Sequence, residues 1–415
     1  MKAIANRQLN MLFALNIQLF AAFTGQLNAN EIFGALYNMI ISQEVRADNI
    51  AGTFSSLVDR ARVDGSLYGD TKLFYSPDVL KSRPWGADAE AANLLAINRP
   101  KAPEVQAITL DVFRQIDITV DQYLSKRAWI EEGAFSSFNS VMLGMIRETK
   151  RVYDSTIYNA FIGTAESSAS GASITVNPTV GTDTTSADLE GAARIYAESV
   201  AESLANLFVH LRDVSRDYND YAQLKSYDLE DLIVVWNASK VNKIKKLDLP
   251  TMFHKEGLID KFEDEILPER YFGVVITSSN VADYSASTPT TGKPLTTSTG
   301  VYDPGSNHAN GCVRSLIEKD VTVGGTAYHV FAGDEIPANA TVVANGNFEL
   351  GEVYIQDAKI ICKVMHKKSV PFMSAFEVGT SFFNPRSLTE NHYLTWGHNS
   401  LEYLKSYPFI TVKEA

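Results

Sequence analysis

The strongest repeat of apolar positions lies at 135–162. Phe138, Val141, Met142, Met145, Ile146, Val152, Tyr153, Ile157, Ala160 and Phe161 recur at three- and four-residue steps. That spacing lines one side of an amphipathic helix. Arg147, Lys150, Arg151 and Asp154 fall off the stripe, and Gly163 just beyond it predicts a C-cap. At ~1.5 Å per residue the helix is about 40 Å long, which exceeds the usual length in a compact domain. A second helical stripe runs through Leu189, Ala193, Tyr196, Val200, Leu204, Leu207, Phe208 and Leu211, with capping chemistry at Thr185 and Asp188. Residues 31–60 carry a weaker helical spacing in Ile32, Leu36, Met39, Ile40 and Ile41.

Other stretches read as extended chain. Between 66 and 128, Pro77, Pro84, Pro100 and Pro103 exclude a continuous helix. The run 105–120, with Ile108, Leu110, Val112, Gln115, Asp117 and Thr119, predicts a long half-polar ribbon. Such a ribbon buries little, while ordering costs on the order of 1–2 kcal/mol per residue, so something outside it must supply stability. The piece 173–176 reads as a strand. The wholly apolar run 232–236 reads as a buried central strand, and 271–277 as another. A succession of helix and strand from 186 onward argues for an α/β domain. Residues 283–311, rich in Ser, Thr, Pro, Gly and Asn, predict a solvent loop. Val321 to Val323, Gly324-Gly325 and the run from Thr326 form a two-residue hairpin. Residues 353–415 are rich in β-type and aromatic residues, and no tandem repeat is present.

Composition narrows the function classes. The chain has 415 residues, 45% of them hydrophobic and 21% charged, with a net charge of −12. That is globular material, and its acidity argues against sequence-specific reading of nucleic acid. It suits a container wall that stays soluble and does not grip its contents. Cys312 and Cys362 are too few for a disulfide framework and read as reduced thiols. Lys2 and Arg7 before the apolar run 9–23 resemble a secretory leader, but Asn10, Asn16 and Gln18 interrupt the run. It is too short to span a bilayer and reads better as an amphipathic arm that docks on a partner.

Catalytic motifs are weak. His210, His254, His308, His329, His366, His392 and His398 show no zinc-helix spacing, and there is no paired CxxC. His392 and His398 lie close together in a strand-rich region, where interface or surface roles outweigh a metal. Gly324-Gly325 lacks the lysine of a phosphate loop, and no nucleophile elbow is present. Asp260, Glu263, Asp264 and Glu265 form an acidic cluster, which reads as a solvated face before a general-acid site. The basic patch Lys240, Lys243, Lys245 and Lys246 reads as a solvated or partner-facing edge.

Several segments resemble one family. Leu15-Asn16-Ile17-Gln18-Leu19-Phe20-Ala21 is similar to the opening of many tailed-phage coat proteins. So is Thr119-Val120-Asp121-Gln122-Tyr123-Leu124-Ser125-Lys126-Arg127-Ala128-Trp129 leading into a long helix. Val235-Trp236-Asn237-Ala238 through Lys246, then Leu249-Pro250-Thr251, looks like a third stretch of the same coats. The order of parts resembles the Hong Kong 97-like capsid fold. The resemblance implies an α+β chain with an N-terminal arm at 1–65 and an extended β-ribbon loop at 66–128. A spine helix with a peripheral-domain strand follows at 129–185. An α/β axial domain occupies 186–352, with a flexible loop at 283–311. Peripheral-domain return strands fill 353–415.

By that likeness the function is structural, without cofactor or metal. Copies would form pentamers and hexamers that close into an icosahedral head enclosing double-stranded DNA, assembled in the bacterial cytoplasm and found in the virion. Further partners would be a portal, a separate scaffolding protein and the packaged DNA through non-specific contact, with no membrane. The intersubunit interface would include Lys72, Lys81, Arg83, Trp85, Arg99, Lys126, Arg127 and Trp129. Some such coats cross-link a loop lysine to an asparagine, and Lys72, Lys81 or Lys101 with Asn384, Asn391 or Asn399 are the pairs to test. Three readings compete: a secreted or surface β-rich binding protein, a hydrolase using Asp260 to Glu265, and another virion part such as a tail-tube subunit.

Overall fold

The computed structural model describes residues 56–64, 71–82, 97, 99–121, 132–177, 189–245, 263–285, 293–296, 300–304 and 311–415. Most of the proposed arm at 1–65 lies outside them; its described part is α1 (Ser56–Ala61) and β1 (Arg62–Asp64). The chain divides into two compact units. The described parts of the first come from Gln115–Thr149 and Val378–Thr395. The second takes in Gly52–Arg114, Lys150–Glu377 and Trp396–Ala415.

The long helix, α2, runs Glu132–Thr164 and is about 50 Å long at ~1.5 Å per residue. Gly163 is therefore inside the helix and is not its cap. A Cβ at that position would stand 2.1 Å from the Tyr271 carbonyl oxygen, so glycine lets another stretch of backbone touch the last turn. The expected polar side also differs. Arg147 and Arg151 are exposed, but Lys150 and Asp154 are buried. Asp154 sits 3.2 Å from Arg62 and 3.6 Å from Lys150, and Lys150 reaches Glu377 at 3.1 Å. Mutual charge neutralisation lets these side chains enter a face that residue type alone assigns to solvent.

A five-stranded sheet of order β4-β15-β12-β5-β6 organises the second unit. Its strands are β4 (Ser173–Val176), β5 (Leu232–Asn237), β6 (Glu263–Leu267), β12 (Ile360–His366) and β15 (Phe409–Glu414). β5 is buried throughout because its residues are apolar on both faces. Leu232, Val234 and Trp236 enter one core with α3 (Leu189–Arg212) and α4 (Ala238–Lys245). Ile233 and Val235 enter the other with α1 and the C-terminal half of α2. β5 and β6 run parallel, as do β15 and β4, while β12 is antiparallel to both its neighbours. Two expectations change here. Glu263, Asp264 and Glu265, read as a solvated face, lie on the edge strand β6 beside β5, with Glu263 and Asp264 exposed. The run 271–277, read as a buried central strand, yields β7 (Gly273–Val275) at the edge of a separate sheet. The expected boundary at 353 also does not separate two bodies, since β12 and β15 complete the same sheet as β5.

The described residues between 273 and 356 form a second β core. β7, β11 (Val353–Gln356) and β8 (Val313–Ser315) make a three-stranded sheet. β9 (Lys319–Val323) and β10 (Thr326–Val330) pair as the expected hairpin. Gly324 and Gly325 both take positive φ, 59° and 85°, which that turn demands. The expectation that 283–311 is all solvent loop fails at four described positions, Pro294, Leu295, Gly300 and Tyr302, which are buried. Leu295 and Tyr302 are fully buried in this core, drawn in by isolated bridges to each other and, through Val301, to Thr341.

The third sheet has order β1-β13-β14-β3-β2, formed with β2 (Thr71–Ser76), β3 (Glu104–Asp121), β13 (Phe372–Asn384) and β14 (Thr389–Asn399). β3 matches the expected ribbon but is flanked by β14 as well as β2, so the ribbon has one covered side along its root.

Candidate assembly surface

Within the second unit, β2 pairs antiparallel with β3, placing Leu73 opposite Ala107 and Tyr75 opposite Val105. Alternation splits the ribbon into two faces. Ser76, Ile108 and Leu110 turn inward and are buried. Leu73 is 51% and Tyr75 62% exposed, and Val79, Leu80, Ile97 and Val105 are also exposed. An apolar row on a strand at the edge of a sheet is an unfilled pairing surface in the single chain.

The ribbon root is tied to two loops of the same unit. Ser76 Oγ donates to Gln223 Oε1 at 2.5 Å, Gln223 Nε2 donates to Ser76 O at 2.8 Å, and Lys225 Nζ donates to Ser76 Oγ at 2.6 Å. Asp78 accepts from Leu224 N at 3.1 Å and from Arg216 at 3.2 Å. The Leu224 and Val79 amides, then Arg216, hold the Asp78 carboxyl below its ordinary value. Asp111 accepts from Ser400 N and Oγ at 2.7 and 2.6 Å, and Gln106 exchanges bonds with Tyr403 O and Lys405 N. The ribbon is thus fixed at its base while its outer face stays bare.

A second bare surface lies in the first unit, on the hairpin of β13 and β14. Val378, Phe382, Phe383 and Leu388 are exposed there, Phe382 at 65%. Sequence reasoning missed it, although two adjacent phenylalanines before Asn384-Pro385 are the sign of a strand running into a turn. On its other side β14 is tied to β3, where Thr119 donates to Asn391 at 2.7 Å and Gln115 to Thr395 at 3.2 Å.

Of the eight proposed interface residues, Lys81 and Arg99 are exposed and Lys72 is half-buried. Arg83, Trp85, Lys126, Arg127 and Trp129 lie outside the described residues. Lys101 pairs with Glu104 at 3.0 Å. Asn399 is a poor cross-linking candidate: it is fully buried, accepts from Met373 N, and donates to Pro371 O and Ser400 O.

The remaining candidate chemistry resolves into structural contacts. Glu263 lies 2.9 Å from Lys367 and 2.8 Å from Arg60, and Lys367 first among these keeps its carboxyl below the usual range. Lys240 is buried against Glu414 at 2.7 Å. His398 Nε2 meets the Tyr153 hydroxyl at 2.9 Å and Nδ1 meets Asn399 O at 2.8 Å, while His392 lies 3.9 Å from Glu390. Cys362 is buried and Cys312 half-buried, both free. Among the described residues, no group of three or more His, Cys, Asp or Glu is placed to hold a metal, and no helix is long and apolar enough to cross a membrane.

The model of the Phi29-like phage major capsid protein family matches residues 6–410. The chain belongs to this family. The capsid subunit also resembles solved phage structures. One is a chain of the capsid structure of Staphylococcus phage Andhra, with TM-score 0.52 and 11% identity over 90% of this chain and 86% of that one. Another is a chain from the structure of the head fiber and inner core protein gp22 of bacteriophage P68, with TM-score 0.50 and 12% identity over 89% and 87%. At that identity the likeness speaks for the fold alone. No curated protein matches. The capsid subunit is a structural protein of the virion and not an enzyme, which displaces the secreted, hydrolase and tail-tube readings.

Proposed function

We propose that the subunit closes its shell by burying the bare face of the β2–β3 ribbon on a neighbouring copy. The exposed pair Leu73 and Tyr75 carries this reading. Covering an aliphatic or aromatic side chain is worth about 1.5–3 kcal/mol, so a short row supports a weak, reversible contact. Repeated around a ring, such head-to-tail contacts close into pentamers and hexamers and then into an icosahedral head. Lys72, Lys81, Arg83, Trp85, Arg99, Lys126, Arg127 and Trp129 form the rim of that contact. The hairpin of β13 and β14 supplies a second one.

In this reading α2 is the spine and the β4-β15-β12-β5-β6 sheet with α3 and α4 is the axial domain. The 273–356 core is a branch of that domain, and residues 1–65 serve as an arm. Assembly takes place in the host cytoplasm with a portal and a separate scaffolding protein, and the head holds double-stranded DNA through non-specific contacts. The test is Leu73→Asp with Tyr75→Asp, scored by negative-stain electron microscopy and by circular dichroism of the unassembled chain. Folded subunits that no longer make closed particles are expected. Closed particles at wild-type yield would refute the assignment.

A further inference from the structure

Lys363 is the one lysine with no exposed surface among the described residues. It lies on inner strand β12, between Thr411 of β15 and Val235 of β5. Its ammonium position donates to Thr411 Oγ1 and to the backbone oxygen of Ala165, both at 2.8 Å. Ala165 follows the last residue of α2 and closes its final turn by donating to Phe161 O at 2.8 Å. The lysine therefore satisfies a carbonyl that the helix end would leave bare. The Phe409 ring stands 5.8 Å away.

The charges around it are few. On the helix side, Glu166 is claimed by Lys413 at 2.5 Å. β15 supplies Lys413 itself, the turn before β12 supplies Asp357, and Cys362 lies next to Lys363 on β12, while β5 offers only apolar Val235. No carboxylate of the described residues pairs with Lys363. An ammonium group has three hydrogens to place and this cradle offers two acceptors; a neutral amine has two. Burial, the largest influence, pulls the amine down to about 7.

We propose that Lys363 is a proton-linked clasp: docking the end of α2 on the sheet discharges the lysine, and undocking recharges it. Acid then loosens the junction and alkali tightens it. The sign follows from linkage. Free in water the amine keeps its proton up to about pH 10.4, so between pH 7 and that value the undocked state binds one more proton. The opening constant of the junction falls by about tenfold per pH unit across that window.

The experiment is amide hydrogen exchange at Gly163, Thr164 and Ala165 of the unassembled chain from pH 6 to 10, corrected for intrinsic rates. The wild type is expected to show a slope near one proton and Lys363→Met none. Thr411→Val, which deletes one acceptor, keeps the slope but moves its onset to lower pH. If Lys363→Met fails to fold, the wild-type slope is read beside NMR titration of isotope-labelled lysine Nζ groups, where one resonance must titrate near pH 7. A flat wild-type profile, an equal slope in a folded Lys363→Met, or lysines that all titrate near pH 10 would each overturn the proposal.

Discussion

Replacing Gly163 by alanine sets two effects of known size against each other on one residue. Helix propensity favours the change, because glycine inside a helix costs about 1 kcal/mol relative to alanine. Packing opposes it. The new Cβ would lie 2.1 Å from Tyr271 O and 2.6 Å from its carbonyl carbon, whereas ordinary contact begins near 3.4 Å. The neighbour would have to retreat by more than 1 Å. Tyr271 has little room to do so: it is buried, its amide bonds Pro268 O, and its ring is flanked by Arg270 and closely approached by Gly333. Phe272, fully buried, leads directly into β7. Overpacking a rigid site costs about 1–3 kcal/mol, and more where backbone meets backbone. The net expectation is a loss of about 2 kcal/mol.

Gly144→Ala on the same helix is the control. No described atom lies within 4 Å of a Cβ there, so only the propensity gain, about 1 kcal/mol, remains. Urea unfolding of the unassembled chain, followed by far-ultraviolet circular dichroism, should move the two midpoints in opposite directions. A Gly163→Ala chain as stable as wild type would refute the close-approach reading and restore an ordinary helix end.

Three further outcomes are expected. Asp154→Ala should cost about 3 kcal/mol because it leaves Lys150 buried beside an empty site. Lys150→Met with Asp154→Leu should recover most of that, read from the same unfolding curves; equal losses in both would undo the charge-pair account. The Leu224 amide should be protected at pH 6 and lose protection as pH falls below 3.8. The lowered Asp78 value means its tie is present above the ordinary carboxylate pKa and lost on descent through the folded one, so in Asp78→Ala the protection should be absent at both pH values. Phe382→Asp should leave the subunit folded and reduce particle yield in sedimentation assays; unchanged yield would remove the β13–β14 hairpin from the assembly surface.

The parts legible in the sequence are those whose pattern is local. α2, β4, β5 and the β9–β10 hairpin follow from periodicity and turn chemistry within a few residues. β6 was hidden because Glu263, Asp264 and Glu265 obscure a strand whose partner, β5, lies about thirty residues upstream. The joining of β12 and β15 to β5 is a long-range choice with no local trace. Lys150, Asp154 and Lys363 defeat a reading by residue type, since each is buried only because a distant atom receives it. Leu295 and Tyr302 show the converse: isolated apolar residues in a polar stretch can still anchor a core. Of the two bare surfaces, the ribbon is visible in the sequence as a strand too exposed to be self-sufficient. The one at Phe382 and Phe383 carries only a generic β signal.

The bare surfaces and the buried charges follow from one constraint on a shell subunit. A chain that must be completed by copies of itself keeps apolar side chains in water until assembly, so those contacts cannot hold the free subunit together. Its stability has to come from inside each unit. The two cores on either face of the β5 sheet, the Arg62–Asp154–Lys150 cluster and the ties at Ser76 and Asp78 do this without using the ribbon's outer face. Substitutions there should therefore abolish particles at constant subunit stability, and substitutions in the interior should do the reverse. Measuring both quantities on one set of variants separates the two classes, and a Tyr75→Asp chain that unfolds as readily as Asp154→Ala would break the division.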